Sequence, residues 1–274
     1  MIDAHQHFWR LDRGDYGWLT PALAPIFRDF GPDDLVPILS RHRIERTILV
    51  QAAPTVEETR YLLSIAKATP YVAGVVGWVD FEAADAPEVI ASLARDPTLV
   101  GLRPMVHDLD DPQWLARADL APAFEAMIRH RLVFDALVRP LHLAPLLSVV
   151  ERHPALRVVV DHAAKPALRD GRPGSWRDDL ALLAAHGNVR CKLSGLVTEA
   201  APGAGVEVFG PVVDALLELF GADRVLWGSD WPVVELAGGY DRWRSLTSQL
   251  LARLPEDARD AVLGANAQRV YLDR

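Results

Sequence analysis

Two histidines lie two residues apart near the start of the chain, within residues 2–9 (IDAHQHFW). On a β-strand, side chains two residues apart point to the same face and are separated by roughly 6.6 Å. The imidazoles of His5 and His7 can therefore converge on one metal ion, one substrate oxygen or one water molecule, while Ile2 and Ala4 face the other side and pack. An exposed polar segment would show the same spacing, so the pair is weak evidence by itself.

Polar side chains also end the other apolar segments that are predicted to form strands. They are Gln51, Trp78, Asp80, Arg103, His107, Asp135, Asp161, His162, Lys165, Lys192, Ser194, Ser229, Asp230 and Trp231. Burying this many polar groups without partners would cost several kcal/mol for each group. The set as a whole therefore indicates a functional site better than any one of its members.

Individual members of this set have structural alternatives. Asp230 lies in the segment GSDWP and could cap a turn or a helix, and Asp161 could likewise be structural. His162 could be an interior histidine whose hydrogen bonds are satisfied. Arg103 is either the ion-pair partner of a nearby carboxylate, Asp80 or Asp135, or a clamp for a substrate carboxylate or ester carbonyl.

Apolar strands and amphipathic helices alternate along the chain in eight strand–helix units. After the first strand, strands are predicted at 47–51, 72–79, 99–103, 132–137, 158–162, 189–193 and 225–228. Helices are predicted at 32–42, 57–68, 86–95, 120–130, 143–152, 178–186, 206–220, 240–253 and 255–263. Near-continuous apolar strands between helices indicate a parallel sheet covered on its outer face. We therefore predict an α/β fold, a closed (β/α)8 TIM barrel, in one domain over residues 1–274.

A barrel of this type carries its active site at the carboxyl ends of the strands, where the polar set would gather. The aromatic loop at residues 10–30 follows the first strand and contains Tyr16, Trp18, Phe27 and Phe30. Such a long loop is either a functional lid or wall, or a cover for the end of the barrel. No glycine-rich nucleotide-binding motif follows any predicted strand, which argues against a nucleotide cofactor.

The overall charge excludes several classes of partner. The chain has 29 basic and 37 acidic residues and a formal net charge of −8, which argues against nucleic acid and anionic membranes. No apolar run approaches the roughly 20 residues of a membrane span, and no secretory signal pattern is present. Cys191 is the single cysteine and suits a reducing compartment. We therefore expect a cytoplasmic enzyme or small-molecule binder, with homo-oligomer formation left open.

Several motifs together resemble the amidohydrolase-2 branch of the amidohydrolase superfamily. They are residues 2–9 (IDAHQHFW), 77–80 (GWVD), 101–103 (GLR), 161–166 (DHAAKP), 191–196 (CKLSGL) and 228–232 (GSDWP). The resemblance runs from residue 2 to the final helices and implies a barrel enzyme. Because this branch contains sugar lactonases, it also implies hydrolysis of an aldonolactone, of the L-fucono or L-rhamnono type, to the open-chain aldonic acid.

The resemblance also implies roles for the polar set. Asp230 would be the general base that activates water. The groups that would stabilise the oxyanion are His5, His7, His162 and Arg103, or a bound metal. The groups that would bind the sugar are Gln51, Trp78, Arg103, Lys165 and Trp231.

The chain departs from many amidohydrolases at two strands. Strand 4 ends in Arg103 rather than lysine, and strand 5 carries Asp135 but no histidine. These departures argue against a binuclear metal site. His5, His7 and Asp230 could hold one divalent ion such as zinc, with a position open for water. A metal-independent reaction, in which the histidines and Arg103 polarise the carbonyl directly, is the alternative.

Two other functions are compatible with the same barrel. One is hydrolysis of a non-sugar lactone, or decarboxylation of a carboxylate substrate. A substrate with two carboxylates would need several inward arginines, whereas Arg103 is the one obvious arginine at a strand end. The other is a non-catalytic sugar-binding barrel, which we would expect to have lost His5, His7 or Asp230.

Overall fold

Eight parallel strands form a closed barrel in the computed structural model, which describes residues 1–169, 171 and 174–273. The strands are β1 (Ile2–Gln6), β2 (Arg46–Val50), β3 (Val72–Gly77), β4 (Leu99–Leu102), β5 (Val133–Ala136), β6 (Arg157–Val160), β7 (Val189–Leu193) and β8 (Val225–Trp227). Each strand pairs with the next along the chain. The barrel closes where Gln6 of β1 forms a parallel bridge with Trp231, just after β8. The predicted TIM-barrel fold is confirmed.

Helices follow the strands and cover the outside of the barrel. They are α1 (Pro32–His42), α2 (Val56–Ala68), α3 (Ala86–Leu93), α4 (Ala121–Arg129), α5 (Leu143–Arg152), α6 (Trp176–Ala184), α7 (Leu196–Glu199), α8 (Val206–Phe220), α9 (Gly239–Leu250) and α10 (Glu256–Asp260). Local sequence fixes the start of α2, where the Thr55 side chain accepts the amide N–H of Glu58. Among the described residues, no helix is long and apolar enough to cross a bilayer.

The hydrophobic core has two layers. The larger layer packs the outer faces of the strands against the helices. The smaller layer fills the barrel with aliphatic side chains, including Ile48, Val50, Val76 and Leu226. Tyr271, from the C-terminal segment, packs in this inner layer and is fully buried. Branched side chains dominate because the interior of an eight-stranded barrel is a packed core rather than a pore.

Two strands, β3 and β1, depart from the predicted pattern near the polar set. β3 ends at Gly77 because the Thr59 hydroxyl bonds both the amide and the carbonyl of Trp78, which leaves the sheet. The register of β1 shifts between Asp3 and Gln6. This shift places Ala4 in the inner apolar layer, contrary to the strict alternation that the sequence predicted.

The chain turns left-handed directly after β6, where the sequence predicted continued strand. His162, Ala163, Ala164 and Lys165 have φ of 52°, 51°, 58° and 51°. This conformation costs roughly 1–2 kcal/mol for each residue with a Cβ. A run of strained residues is retained where the surrounding structure holds it, often at functional sites.

Candidate active site

The N-terminal histidines lie at the mouth of the barrel and are buried. His5 has no exposed surface, and His7 is 4% exposed. The Nδ1 atom of His7 lies 2.8 Å from the carbonyl oxygen of Val50, the last residue of β2. Because a carbonyl only accepts hydrogen bonds, Nδ1 carries the proton, and the Nε2 atom of His7 points into the site.

Asp230 is held beside these histidines by the junction between β1 and β8. Its amide donates to the carbonyl of His5 at 2.8 Å. The preceding residue, Ser229, donates its amide to Oδ1 of Asp3 at 2.8 Å, and Tyr240 donates its hydroxyl to Oδ2 of the same carboxylate at 3.0 Å. Asp230 itself adopts φ of 60°. Asp3, which the sequence did not single out, therefore fixes the loop that carries Asp230.

Three imidazoles surround one oxygen of Asp230. Oδ1 lies 3.3 Å from Nε2 of His7, 3.6 Å from Nε2 of His5 and 3.9 Å from Nε2 of His162. Since Nδ1 of His7 is bonded to a carbonyl, a neutral His7 directs a lone pair at this carboxylate oxygen. A cation or a proton between the two atoms relieves that contact.

A divalent ion fits this donor set. One ligand atom each from His5, His7 and Asp230 lies within 4.8 Å of the other two, and all three residues are buried. Two imidazoles and one carboxylate are a common ligand set of catalytic zinc sites. The Val50 carbonyl supplies the outer hydrogen bond that orients a ligating histidine.

Arg103 follows β4 and reaches across the mouth of the barrel. Its Nη2 donates to the backbone carbonyl of Gln51 and, at 2.9 Å, to Oε1 of the same residue. Its Nη1 lies 3.4 Å from Oδ2 of Asp161 and 3.3 Å from Nε2 of His5. The structure therefore pairs Arg103 with Asp161, which is neither of the carboxylates that the sequence offered as its ion-pair partner.

His162 reaches the site from the left-handed turn after β6. Its Nδ1 lies 2.8 Å from Oγ of Ser194, which follows β7, so its Nε2 faces Asp230. The same turn places Lys165 at the mouth of the barrel. Its Nζ donates to Oε1 of Glu199 at 2.8 Å.

A buried ion network lies beneath the histidines. Lys192, on β7, is fully buried and donates to Oδ2 of Asp135 on β5. Its Nζ also lies 3.0 Å from Oδ1 of Asp161 and 3.2 Å from Nδ1 of His5. Tyr271 donates its hydroxyl to the other oxygen of Asp135 at 2.6 Å. The Lys192 ammonium therefore lies between two carboxylates and contacts the Nδ1 side of His5.

Burial and neighbouring charges set the protonation of these groups. Burial raises the pKa of Asp230, but His162 and the hydrogen bond with His7 outweigh it, so the pKa lies below its usual value. Burial lowers the pKa of His5 well below its usual value, and the Lys192 charge lowers it further. Burial also lowers the pKa of His162. The site thus holds an ionised carboxylate beside His5 and His162, which favour the neutral form.

A cavity of about 250 Å³ opens onto these groups. Its polar wall includes His7, Arg103, His162, Lys165 and Asp230. Trp18, Met105 and His107 complete the wall from loops. Trp18 lies in the aromatic loop at residues 10–30, for which the sequence predicted a wall or a cover. Met105 carried no sequence signal, because its position depends on the path of the loop after β4.

The structure separates three of the residues expected to bind substrate from this cavity. Gln51 is fully buried, and its amide oxygen binds Arg103. Trp231 is 2% exposed, with its ring packed edge-on against Phe8 and Phe30. Neither lines the cavity among the described residues. Trp78 lines a neighbouring chamber instead.

The eight-stranded barrel and its His-x-His and aspartate cluster define a hydrolase site of the amidohydrolase type, and the chain belongs to the amidohydrolase family, whose model matches residues 2–272. The family resemblance seen in the sequence is confirmed.

Relatives within this family are similar over nearly their full length. An L-fucono-1,5-lactonase from Burkholderia ambifaria is 51% identical, covering 100% of this chain and 96% of the relative. An L-fucono-1,5-lactonase from Burkholderia multivorans is 37% identical, covering 98% and 95%. A crystal structure of an amidohydrolase from Burkholderia multivorans with bound zinc is 37% identical, covers 98% of each chain and superposes with a TM-score of 0.93.

Proposed function

We propose that this protein hydrolyses a sugar 1,5-lactone, of the L-fucono type named for its relatives, to the open-chain aldonic acid. The observation that carries the proposal is that three imidazoles surround the Asp230 carboxylate at the wall of a small cavity. That arrangement provides a base and polar groups for an ester carbonyl in one place. A cavity of about 250 Å³ also limits the reacting part of the substrate to a small molecule.

Asp230 is the general base in this proposal. Its lowered pKa keeps it ionised at neutral pH, so it can accept a proton from water that attacks the lactone carbonyl. Attack gives a tetrahedral intermediate with negative charge on the former carbonyl oxygen. When the bond between the carbonyl carbon and the ring oxygen breaks, Asp230 returns the proton to that oxygen and the sugar acquires a hydroxyl group.

Arg103 and the histidines stabilise the negative charge that develops on the carbonyl oxygen. Arg103 lines the cavity and is held by Gln51, so its guanidinium does not need to reorganise during the reaction. His162 contributes its Nε2, which is oriented by Ser194. Lys165 and Trp18 lie farther along the same wall, where they contact the sugar hydroxyls and the C–H face of the ring.

His5, His7 and Asp230 hold one zinc ion in this proposal, in agreement with the zinc-bound relative. The chemistry that such an ion supplies when bound is polarisation of a carbonyl and a lower pKa for coordinated water. The protein's part is to fix the ligands: the Val50 carbonyl orients His7, and Lys192 and Asp161 flank Nδ1 of His5.

Acid release from a panel of aldonolactones tests the proposal, with and without a chelator. We expect turnover of L-fucono-1,5-lactone, loss of turnover after chelation and recovery with zinc. No turnover of any aldonolactone by the zinc-loaded protein would refute it. Full activity after complete metal removal would instead support the metal-independent reaction. Turnover of only non-sugar lactones or of carboxylates would favour the alternative chemistry on this barrel.

The proposed setting is the cytoplasm, with a small neutral lactone as the partner. The single thiol, Cys191, is buried and free, as suits a reducing compartment. Sedimentation of the purified protein would determine whether it forms the homo-oligomer that the sequence left open.

A further inference from the structure

A second chamber opens beside the catalytic cavity. Its volume is about 460 Å³, and it shares Trp18, Met105 and Asp108 with the catalytic cavity. Ligand sites usually occupy roughly 300–1,000 Å³, so the catalytic cavity is small and the second chamber is of ordinary size. The two cavities are therefore adjacent, and a molecule that reaches past these three side chains would occupy both.

Aromatic rings form the walls of the second chamber. Trp78, Phe81 and Trp114 line it together with Trp18. Phe81 and Trp114 are buried and pack against each other, with ring centroids 6.2 Å apart. Trp18 and Trp78 are half-buried, so each indole has a surface that faces the open space. Flat apolar surfaces of this kind bind the C–H faces of sugar rings.

Hydrogen bonds fix the backbone of Trp78 and the indole of Trp18 before any ligand binds. The hydroxyl of Thr59 bonds the amide of Trp78 at 2.7 Å and its carbonyl at 2.8 Å. The indole N–H of Trp18 donates to the carbonyl of Ala52 at 2.7 Å. One ring and the attachment point of the other are therefore set in advance, which reduces the entropy that binding must overcome.

The polar groups of the chamber are acidic. Asp15, Asp80, Glu82 and Asp108 line it, and no lysine or arginine does so among the described residues. Three of these carboxylates form ion pairs, with Arg13, Arg117 and His107, and a carboxylate in an ion pair still accepts hydrogen bonds from hydroxyl groups. Among the described residues, the chamber thus offers acceptors to a neutral polyhydroxyl group and no lysine or arginine to a phosphate or a carboxylate.

We propose that the second chamber is a subsite for a neutral sugar unit attached through a glycosidic bond to a hydroxyl of the lactone ring. The preferred substrate is then a glycosylated aldonolactone, with the lactone in the catalytic cavity and the second ring against Trp78. This inference rests on the proposed lactonase function and extends it from one sugar ring to two.

Rates on matched lactones test the subsite. The probes are L-fucono-1,5-lactone and its derivatives with one neutral hexosyl unit on each free hydroxyl in turn. For at least one derivative, we expect kcat/KM to exceed that of the parent lactone by about tenfold, as a stacked ring contact would give. Trp78→Ala should reduce this ratio to about one, and Trp78→Phe should retain part of it. Tyr71→Ala, a half-buried ring just before β3, should leave the ratio unchanged.

Three results would overturn the subsite. The first is that no glycosylated lactone exceeds the parent, and the second is that the gain survives in Trp78→Ala. The third is an equal gain from an alkyl group of similar size, which would make the chamber a general apolar pocket. A parent lactone that is hydrolysed without any gain from glycosylation refutes the subsite alone, whereas failure of every lactone refutes the proposed function.

Binding without turnover provides an independent readout. Calorimetric titration with the corresponding glycosylated fucitol, which has no lactone, should show binding that Trp78→Ala weakens about tenfold. Equal binding by the native protein and by Trp78→Ala would refute the subsite even if no lactone were hydrolysed.

Discussion

The ring of His162 occupies the space where a side chain at Gly195 would lie. A Cβ added to Gly195 would be 2.5 Å from Nδ1 of His162, the atom that bonds Ser194. Gly195 also has φ of 63°, in the left-handed region. The glycine after Ser194 therefore makes room for the imidazole that faces Asp230.

Gly195→Ala should lower activity by more than the variant's loss of stability explains. The alanine strains the backbone by roughly 1–2 kcal/mol and displaces the His162 ring, so we expect kcat/KM to fall about 10²-fold, as for a misplacement near 1 Å. Gly203→Ala is the matched control, because Gly203 has φ of 83° and an added Cβ has nothing within 4 Å. The control should show a similar fall in melting temperature but should keep native activity. Equal activity in the two variants would contradict this role of Gly195.

Asp230→Asn should remove the general base and keep the shape of the side chain. A carboxamide cannot take a proton from water, so we expect kcat to fall by about 10²–10⁴-fold with the fold retained. Lactone hydrolysis and thermal unfolding measure the two effects. Asp241→Asn, at an exposed ion pair with Arg41, is the control and should keep native kcat. Native turnover by Asp230→Asn would show that another group is the base.

Metal content should distinguish His7 from His162. His7 belongs to the His5, His7 and Asp230 donor set, whereas Nε2 of His162 lies 3.9 Å from Oδ1 of Asp230 and is proposed to serve the carbonyl oxygen. His7→Gln should therefore lose bound zinc on dialysis, and His162→Gln should keep it while losing turnover. Elemental analysis of the dialysed proteins measures zinc per chain. Loss of zinc from both variants would place His162 among the ligands.

Because of Glu58, the free energy of unfolding should fall as the pH rises. Its fully buried carboxyl accepts the amides of Ala52 and Ala53, and burial raises its pKa from 4.5 to about 7. The unfolded chain ionises this group first, so stability falls as the pH rises through 4.5 to 7, and the loss is complete above pH 7. The total loss is about 3 kcal/mol.

Urea unfolding of Glu58→Gln at several pH values measures this effect. The native protein should lose about 3 kcal/mol relative to the variant between pH 4.5 and 8. Glu57→Gln, at an exposed position of the same helix, should show no such shift. A constant stability difference between native protein and Glu58→Gln across this range would contradict the raised pKa.

Lys192→Met should strongly destabilise the barrel. Removing the ammonium leaves Asp135 and Asp161 buried without their shared cation, and breaking a buried ion pair in this way costs about 3–5 kcal/mol. Chemical unfolding measures the loss. Lys192→Met combined with Asp135→Asn should recover part of it, because the charge of Asp135 is removed and Asp161 keeps Arg103 as a partner. A stable single variant would show that the buried cation is dispensable.

The sequence was sufficient for the barrel because strand–helix alternation and apolar strands are local signals. It also brought His5, His7, His162, Arg103 and Asp230 to one end of the barrel, since the carboxyl ends of parallel strands meet there. It did not give the orientation of Gln51 or Trp231, because both lie where the chain leaves the strand and alternation no longer applies. Alternation alone also does not say which face of β7 points inward, so the inward position of Lys192 could not be predicted.

Contacts between distant segments account for what the sequence could not predict. Trp18 reaches the cavity because its indole bonds Ala52, in the loop after β2. Asp3 holds Ser229 across the closure of the barrel. The left-handed turn at His162 has no glycine to signal it, so the strand pattern before it predicted a longer strand.

The contact between His7 and Asp230 spans 223 residues of sequence. Loop-closure entropy makes contacts between such distant residues slow to form during folding. A refolding chain can build β2 to β7 and the helices between them without creating any catalytic centre, since His5 and His7 lie at the end of the first strand and Asp230 follows the last. The return of enzymatic activity after dilution from denaturant therefore reports when the two ends of the chain come together. We expect it to lag behind the return of the helical circular dichroism signal.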